Sequence, residues 1–272
     1  MELLFCGTAA AEGWPALFCT CRACQEARAR GGKDLRSRAA YMLGDTIRVD
    51  FGPDSNLHQQ LYRLAYERLE HLLVTHSHDD HWYPTDLAYR RRGFSVAPET
   101  PLHVWGNEAV ERKFISFNGE DWDRYKIVFH RITAFQPIEI GEGWAATPIP
   151  AAHDRAEECV NYRIEGEGRA ALLGHDTGWY DEPSWEFASE KPLDLLVLDC
   201  TYGPSDSDRG HLGCPSVVRF RDELAKRGGL ASEARVIATH FSHNGGWLHE
   251  DLEAYFRPHG IDVAYDGLKV TL

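Results

Sequence analysis

Long apolar runs are missing from this chain. Stretches such as Leu195–Leu198 are among its longest, whereas a helix that crosses a bilayer needs about 20 consecutive apolar residues. No membrane partner is expected. Positive charge is scarce too: Lys and Arg total 29 against 42 Asp and Glu, a formal net charge of −13. A nonspecific nucleic-acid binder needs a basic face, so no nucleic-acid partner is expected, although a local basic pocket stays open. The opening Met-Glu-Leu-Leu-Phe has neither the basic start nor the apolar stretch of a secretion signal. The expectation is a cytoplasmic protein. Repeats, linkers and low-complexity tracts are absent, so residues 1–272 are read as a single domain. No Gly-x-Gly-x-x-Gly turn follows the first apolar run, which weighs against a dinucleotide-binding fold. Seven cysteines is an odd number, which excludes a complete set of disulfides.

What is present suffices for a packed core: hydrophobic residues make up 43% of the chain. Short apolar runs predict strands at Glu2–Phe5, Ala39–Leu43, Thr46–Val49, His71–Thr75, Leu102–Trp105, Lys126–Ile132 and Trp144–Pro148. Further strands are predicted at Asn161–Ile164, Ala170–Leu173, Leu193–Leu198 and Arg235–Thr239. Gly44-Asp45 and Glu165–Gly168 read as hairpin turns. Val263–Tyr265 and Leu268–Leu272 read as a small closing hairpin. Helices are expected over Gln25–Arg30, from Pro84 to Arg91, over Val217–Ala225 and over Glu250–Phe256. Leu57, Leu61 and Leu64 also recur at helical spacing. Short strands with interspersed helices predict an α/β fold of layered sheets.

The strongest chemical signal is His76-x-His78-x-Asp80-His81, which follows the apolar run His71–Thr75 directly. In an extended segment His76 and His78 point the same way. Asp80 and His81 lie beyond the turn and can face a second ion. Imidazole and carboxylate together suit zinc, manganese or iron. A solvated His/Asp loop is the bland alternative, and the apolar strand before the motif weighs against it. A second cluster is Cys19-x-Cys21-x-x-Cys24. Three thiolates at this density suit one tetrahedral structural zinc rather than disulfides. A closed site wants a fourth ligand, and His243 in His240-Phe-Ser-His243 is the best candidate.

The histidine motif resembles that of the metallo-β-lactamase superfamily of metal-dependent hydrolases. The rest of the chain matches in order and context: His153 after the Trp144 strand, Asp176 after the Ala170 strand, and His240 at the end of the Arg235 strand. Asp50, after the Thr46–Val49 strand, fits the family's early Asp. The resemblance implies a four-layer αββα sandwich and two divalent metal ions, zinc or manganese. His76, His78 and His153 would hold the first ion; Asp80, His81 and His240 would hold the second. Asp176 would bridge them, with a hydroxide between the ions as nucleophile. His175 is read as a supporting or structural neighbour.

The opening from Gly7 to Pro15, followed by the cysteine cluster, is similar to that of PhnP-type phosphodiesterases of the carbon–phosphorus lyase pathway, as is the His-Phe-Ser-His ending. Leu198-Asp-Cys-Thr-Tyr202 followed by His211-Leu212-Gly213 is similar as well, and the resemblance implies His211 as general acid, with Asp80 as the second catalytic residue, holding an ion and orienting the hydroxide. The implied function is hydrolysis of a small phosphate ester, cyclic ribosyl phosphates among them. The alternatives are a PqqB-like cofactor-biosynthesis protein, or a hydrolase of another ester or lactone. A di-iron oxidoreductase of the same fold would need a flavin partner, for which the chain has no room. The Trp- and Arg-rich stretch from Tyr89 to Arg131 departs from the compact PhnP pattern and leaves the ester open. The sequence leaves open whether the chain forms a homodimer. Arg90–Arg92 is read as a solvated helix end. Trp82, Trp122 and Trp179 are read as core, and Cys6, Cys159, Cys200 and Cys214 as buried or incidental.

Overall fold

The computed structural model describes residues 1–96 and 100–272. Three residues of the Tyr89–Arg131 stretch, 97–99, therefore lie outside the described residues. The short apolar runs form two sheets. The first contains β1 (Glu2–Gly7), β2 (Ala40–Leu43), β3 (Ile47–Val49), β4 (His71–Leu73), β5 (Leu102–Gly106) and β6 (Ile127–Arg131). The second contains β7 (Ile138–Glu139), β8 (Ala145–Pro150), β9 (Val160–Gly166), β10 (Arg169–Gly174), β11 (Leu193–Asp199), β12 (Leu230–Thr239) and β13 (Asp262–Val263). The last strand, β14 (Lys269–Thr271), returns to the first sheet beside β1. The orders are β14-β1-β2-β3-β4-β5-β6 and β13-β12-β11-β10-β9-β8-β7.

Side-chain alternation along the strands builds the layers. In β1, Leu3 and Phe5 enter the core between the sheets, while Leu4 and Cys6 face the opposite way. In β11, Leu195 and Val197 face the first sheet, while Leu196 and Leu198 face helices on the other side. Both faces of β11 are thus covered, which is why this strand reads as a continuous apolar run. Helices Glu182–Ser189, Cys214–Lys226 and His249–Phe256 cover the outside of the second sheet, with Trp185, Phe220 and Phe256 buried against it. Helix Glu108–Asn118 and the 3-10 helix Pro84–Arg90 cover the first, with Trp82 and Phe114 buried. The result is the expected helix–sheet–sheet–helix sandwich.

Several local expectations change. The closing hairpin is not formed: β13 pairs in parallel with β12, and β14 pairs antiparallel with β1, so the two segments end in different sheets. The turn between them is held to the first sheet by Gly267 N–H donating to the Phe5 carbonyl (2.8 Å). The helix Ser55–Tyr62 buries Ser55 and His58, whereas Leu57 and Leu61 are exposed. Leucine spacing found the helix but not its buried face, because Arg48 Nη2 meets Ser55 Oγ (3.2 Å) and His58 Nδ1 (3.1 Å), and Ser37 Oγ lies 2.8 Å from His58 Nε2. Helices Glu108–Asn118 and Glu182–Ser189 were not expected from the sequence; their N-caps, Asn107 and Asp181, each accept a backbone N–H in the first turn.

Strands β3 to β6 run parallel to one another, as do β10 to β13. Their carboxyl ends therefore open at shared edges, the place where ligand sites of such sheets collect. Asp50, His76, Asp176, Asp199 and His240 all lie at or just beyond these ends.

Candidate metal centre

The loop after β4 is shaped by Asp50. Its Oδ1 accepts the Thr75 N–H (2.9 Å), and both its oxygens lie 3.0 Å from Thr75 Oγ1. Its Oδ2 lies 2.7 Å from His81 Nδ1 and 2.7 Å from His175 Nε2. The ring nitrogens must donate here, because the surroundings push this buried carboxyl down: burial opposes ionisation, but His81 and His175 outweigh it. Gly52 lets the two segments touch, since a Cβ there would lie 1.9 Å from the Asp80 carbonyl oxygen. Ser77 is clamped from outside: Glu157 accepts its N–H (3.0 Å) and its hydroxyl (2.7 Å), and Asn107 Nδ2 in turn donates to Glu157 (2.9 Å).

Two groups of donors result. In the first, His76, His78 and His153 bring one ring nitrogen each within 4.8 Å of the others. His153 Nδ1 donates to the Gly210 carbonyl (2.9 Å), which leaves its Nε2 facing His78 Nδ1 at 3.3 Å. His78 Nε2 meets Asp154 Oδ2 at 3.1 Å. In the second group, Asp80, His81, Asp176 and His240 lie within the same limit and all are buried. Asp176 joins the groups: its Oδ2 lies 3.6 Å from His76 Nε2 and in close contact with His81 Nε2.

The donors are poorly satisfied by one another. His76 Nε2, His81 Nε2, His240 Nε2 and Asp176 Oδ1 are buried without a hydrogen bond. His81 Nε2 does lie 2.9 Å from Asp80 Oδ2, but that ion-pair proximity lacks hydrogen-bond alignment. Buried polar atoms without partners are costly, so their convergence here is a positive signal. Burial, with His81 beside it, holds the His76 imidazole well below its ordinary range, which leaves it neutral with a lone pair to give. Burial also disfavours a charge on His81, yet Asp80, Asp176 and Asp50 outweigh it and push its imidazole well above the ordinary range. Positive charge is drawn to this cluster. Imidazole nitrogens and carboxylates converging in these two groups fit divalent cations of the zinc or manganese kind. Asp50, Asp176 and His240 also adopt left-handed backbone, with φ of 60°, 52° and 58°. Such residues cost about 1–3 kcal/mol each and concentrate at functional sites.

His211 stands at the rim, on the loop between β11 and helix Cys214–Lys226. That loop wraps Asp199, whose Oδ1 accepts the N–H groups of Thr201 (2.9 Å) and Leu212 (3.0 Å). Asp199 Oδ2 takes His211 Nδ1 at 2.8 Å, so the Nε2 edge is left for a ligand. Burial opposes a charged His211, but Asp199 and then Asp176 prevail and push it up to about 9. Tyr202 packs edge-on against the His211 ring at 5.4 Å. Thr201 Oγ1 lies 2.8 Å from His240 Nδ1, which turns His240 Nε2 toward the cluster.

The cysteine cluster forms a separate group: Cys19, Cys21, Cys24 and His243 bring their ligating atoms within 4.8 Å of one another. His243 Nδ1 lies 3.6 Å from Cys19 Sγ and 3.5 Å from Cys21 Sγ. Backbone N–H groups of Cys21, Cys24 and Ala16 donate to Cys19, Cys21 and Cys24 sulfurs. Burial opposes a thiolate at Cys21, but the Cys24 N–H and His243 pull it down to about 6. The four donors fit one tetrahedral zinc.

All the candidate site residues of the sequence therefore fall into these two places. Sequence reasoning missed Asp154, Glu157, Asn107 and the pairing of Asp199 with His211. Asp199 lay inside a quoted motif, but nothing local marked its partner. Trp82 is fully buried, Trp122 and Trp179 are partly buried against the cores, and Cys6, Cys159, Cys200 and Cys214 are buried. Arg90 is not a solvated helix end: its Nε donates to the Tyr125 carbonyl (3.1 Å).

The sequence matches the model of the beta-lactamase superfamily domain over residues 45–241. The chain belongs to the metallo-β-lactamase superfamily, whose fold points to a hydrolase and to divalent metal ions. Among solved structures it is similar to a diphosphatase of the PhnP family, with 22% identity, 99% of this chain and 96% of that one covered, and a TM-score of 0.78. Zn²⁺-bound PqqB from Methylobacterium extorquens shares 18% identity over 100% of both chains, with a TM-score of 0.79. The short form of human tRNase Z shares 17% identity over 100% of this chain and 99% of that one, with a TM-score of 0.68. At such identities these likenesses speak for the fold alone. A search of curated proteins finds no match. No helix among the described residues is long and apolar enough to cross a membrane.

Proposed function

We propose that this protein is a phosphodiesterase acting on a small phosphate ester, with two divalent ions, zinc or manganese, in its active site and one structural zinc at the cysteine cluster. The observation that carries the reading is the placement of His211, backed by Asp199, beside two donor groups between which Asp176 lies. Divalent ions held by such groups supply Lewis acidity, neutralising charge on a phosphate oxygen and lowering the pKa of water toward neutrality. His76, His78 and His153 would hold one ion, Asp80, His81 and His240 the other, and Asp176 both.

The chain's own residues do the rest. Asp50 keeps the proton of His81 on Nδ1, so that Nε2 faces the cluster. Thr201 does the same for His240. Asp199 holds the His211 ring with Nε2 outward, where an imidazolium can deliver a proton to a leaving alkoxide. When the P–O bond of a diester breaks, the alcohol departs as an alkoxide, which leaves poorly without that proton. The PhnP-family diphosphatase among the structural neighbours is in keeping with phosphate chemistry, and a phosphoric anhydride is the neighbouring substrate class.

The test compares leaving groups. Metal-loaded protein is assayed with bis(p-nitrophenyl) phosphate, an alkyl p-nitrophenyl diester, a cyclic ribosyl phosphate, a diphosphate diester and a lactone. Hydrolysis of the diesters, with metal analysis near three ions per chain, supports the reading. Hydrolysis of the lactone alone, or of the diphosphate alone, overturns it.

A further inference from the structure

The two halves of the metal centre come from different sheets. His76 to His81 follow β4 of the first sheet, and Asp176 follows β10 of the second. Something must hold them in register, because a misplacement of even 1 Å weakens such a site. One direct side-chain tie between them is the pair Asp50–His175. Asp50 directly follows β3 and His175 directly follows β10, and both are fully buried. The same oxygen, Asp50 Oδ2, receives His81 Nδ1 and His175 Nε2, each at 2.7 Å.

His175 is fixed at its main chain as well. Its carbonyl accepts from Asn161 Nδ2 (2.7 Å), and Asn161 Oδ1 accepts from the Tyr180 hydroxyl (2.7 Å). The next residue is Asp176, held at a φ of 52°. The side chain thus reaches a ligand of one half through Asp50, while its backbone sets the start of the ligand in the other half. We propose that His175 is a positioning residue that registers the two half-sites, acting on His81 through Asp50 and on Asp176 through the chain. It touches no substrate. The proposal rests on the metal reading above and deepens it.

Metal affinity tests it without an activity assay. Chelator-stripped wild-type protein and three variants are titrated with Zn²⁺ against a chromophoric chelator, and folding is followed by thermal melting. His175→Phe fills the space without a donor. His175→Asn carries a donor too short to reach Asp50. His175→Gln carries an amide N–H that can reach it. Loss of a partner behind a metal ligand typically costs 10- to 100-fold in affinity. His175→Phe and His175→Asn should lose that much for the active-site ions and nothing at the cysteine cluster, and His175→Gln should return to within about threefold of wild type. If His175→Phe does not fold, the contrast between His175→Asn and His175→Gln decides alone. Affinities equal to wild type in all variants overturn the proposal, as does an equal loss in His175→Asn and His175→Gln. Wild-type protein that takes up only the ion at the cysteine cluster overturns the metal reading itself, and this inference with it.

Discussion

The two donor clusters solve one problem in opposite ways. The cysteine cluster is built almost locally: three ligands come from six consecutive residues, Cys19 to Cys24, and only His243 arrives from elsewhere. Its exposed thiol Cys21 lies at the surface, N-capping the helix Arg22–Arg30. The active-site cluster draws its ligands from loops after β4, β8, β10 and β12, in both sheets. Its second donor group is entirely buried, and behind it stand Asp50, Thr75, Thr201 and His175. A local site needs little support, because short chain segments already limit where its ligands go. A site assembled across two sheets needs a scaffold of buried hydrogen bonds, and that scaffold raises the cost of every error within it.

The largest expected effect breaks the assembled site. Asp80→Ala removes a buried carboxylate from the second donor group and should lower kcat for diester hydrolysis by orders of magnitude, with the cysteine cluster still loaded on metal analysis. Activity near wild type would dissolve the distinction between the clusters. Next in size is His211→Ala. With an alkyl leaving group its rate should fall about 10²–10⁴-fold, the usual range for a general acid. With p-nitrophenolate, which departs unprotonated, the loss should stay within about tenfold. Equal losses with both leaving groups would assign His211 to binding rather than proton transfer.

A smaller effect should mark the local cluster. Cys21→Ser leaves three ligands and should reduce stability by about 2 kcal/mol, seen as a Tm lower by roughly 4–8 °C for a chain of this size. The affinity of the active-site ions should hardly change. Loss of active-site metal in this variant would show the clusters to be coupled.

Asp266 lies in neither cluster and serves as the pH reference. It accepts from Thr8 Oγ1 (2.7 Å), Ser37 N–H (2.6 Å) and Ser37 Oγ (2.7 Å). Burial outweighs these bonds and pushes its carboxyl up to about 6. The folded chain therefore holds this proton between about pH 4 and pH 6, where the unfolded chain has released it. The resulting stability is full below pH 4 and is lost as pH rises through 6. Denaturant titrations of metal-free protein should show a decline across this window that Asp266→Asn flattens. A slope unchanged in that variant would place the pH dependence in the histidine clusters instead.

Much of this was legible in residue order alone. The His76–His81 motif sits directly after an apolar strand, and strand alternation is a property of neighbouring residues, so both the motif and its place at a strand end follow locally. The same holds for Cys19 to Cys24 and for the hairpin turned at Glu165–Gly168. Tertiary structure decided what proximity in sequence cannot. Asp50 and His175 are 125 positions apart, and they meet only because the two sheets dock with the ends of β3 and β10 together. Glu157 clamps Ser77 from 80 positions away. Long-range contacts also set the face of helix Ser55–Tyr62, whose Ser55 and His58 turn inward to Arg48, and they split the expected final hairpin between two sheets. Hydrophobic pattern says which residues prefer to be buried, but the partner that satisfies a buried carboxylate or imidazole is set by which surfaces come together, and that is a property of the packed chain.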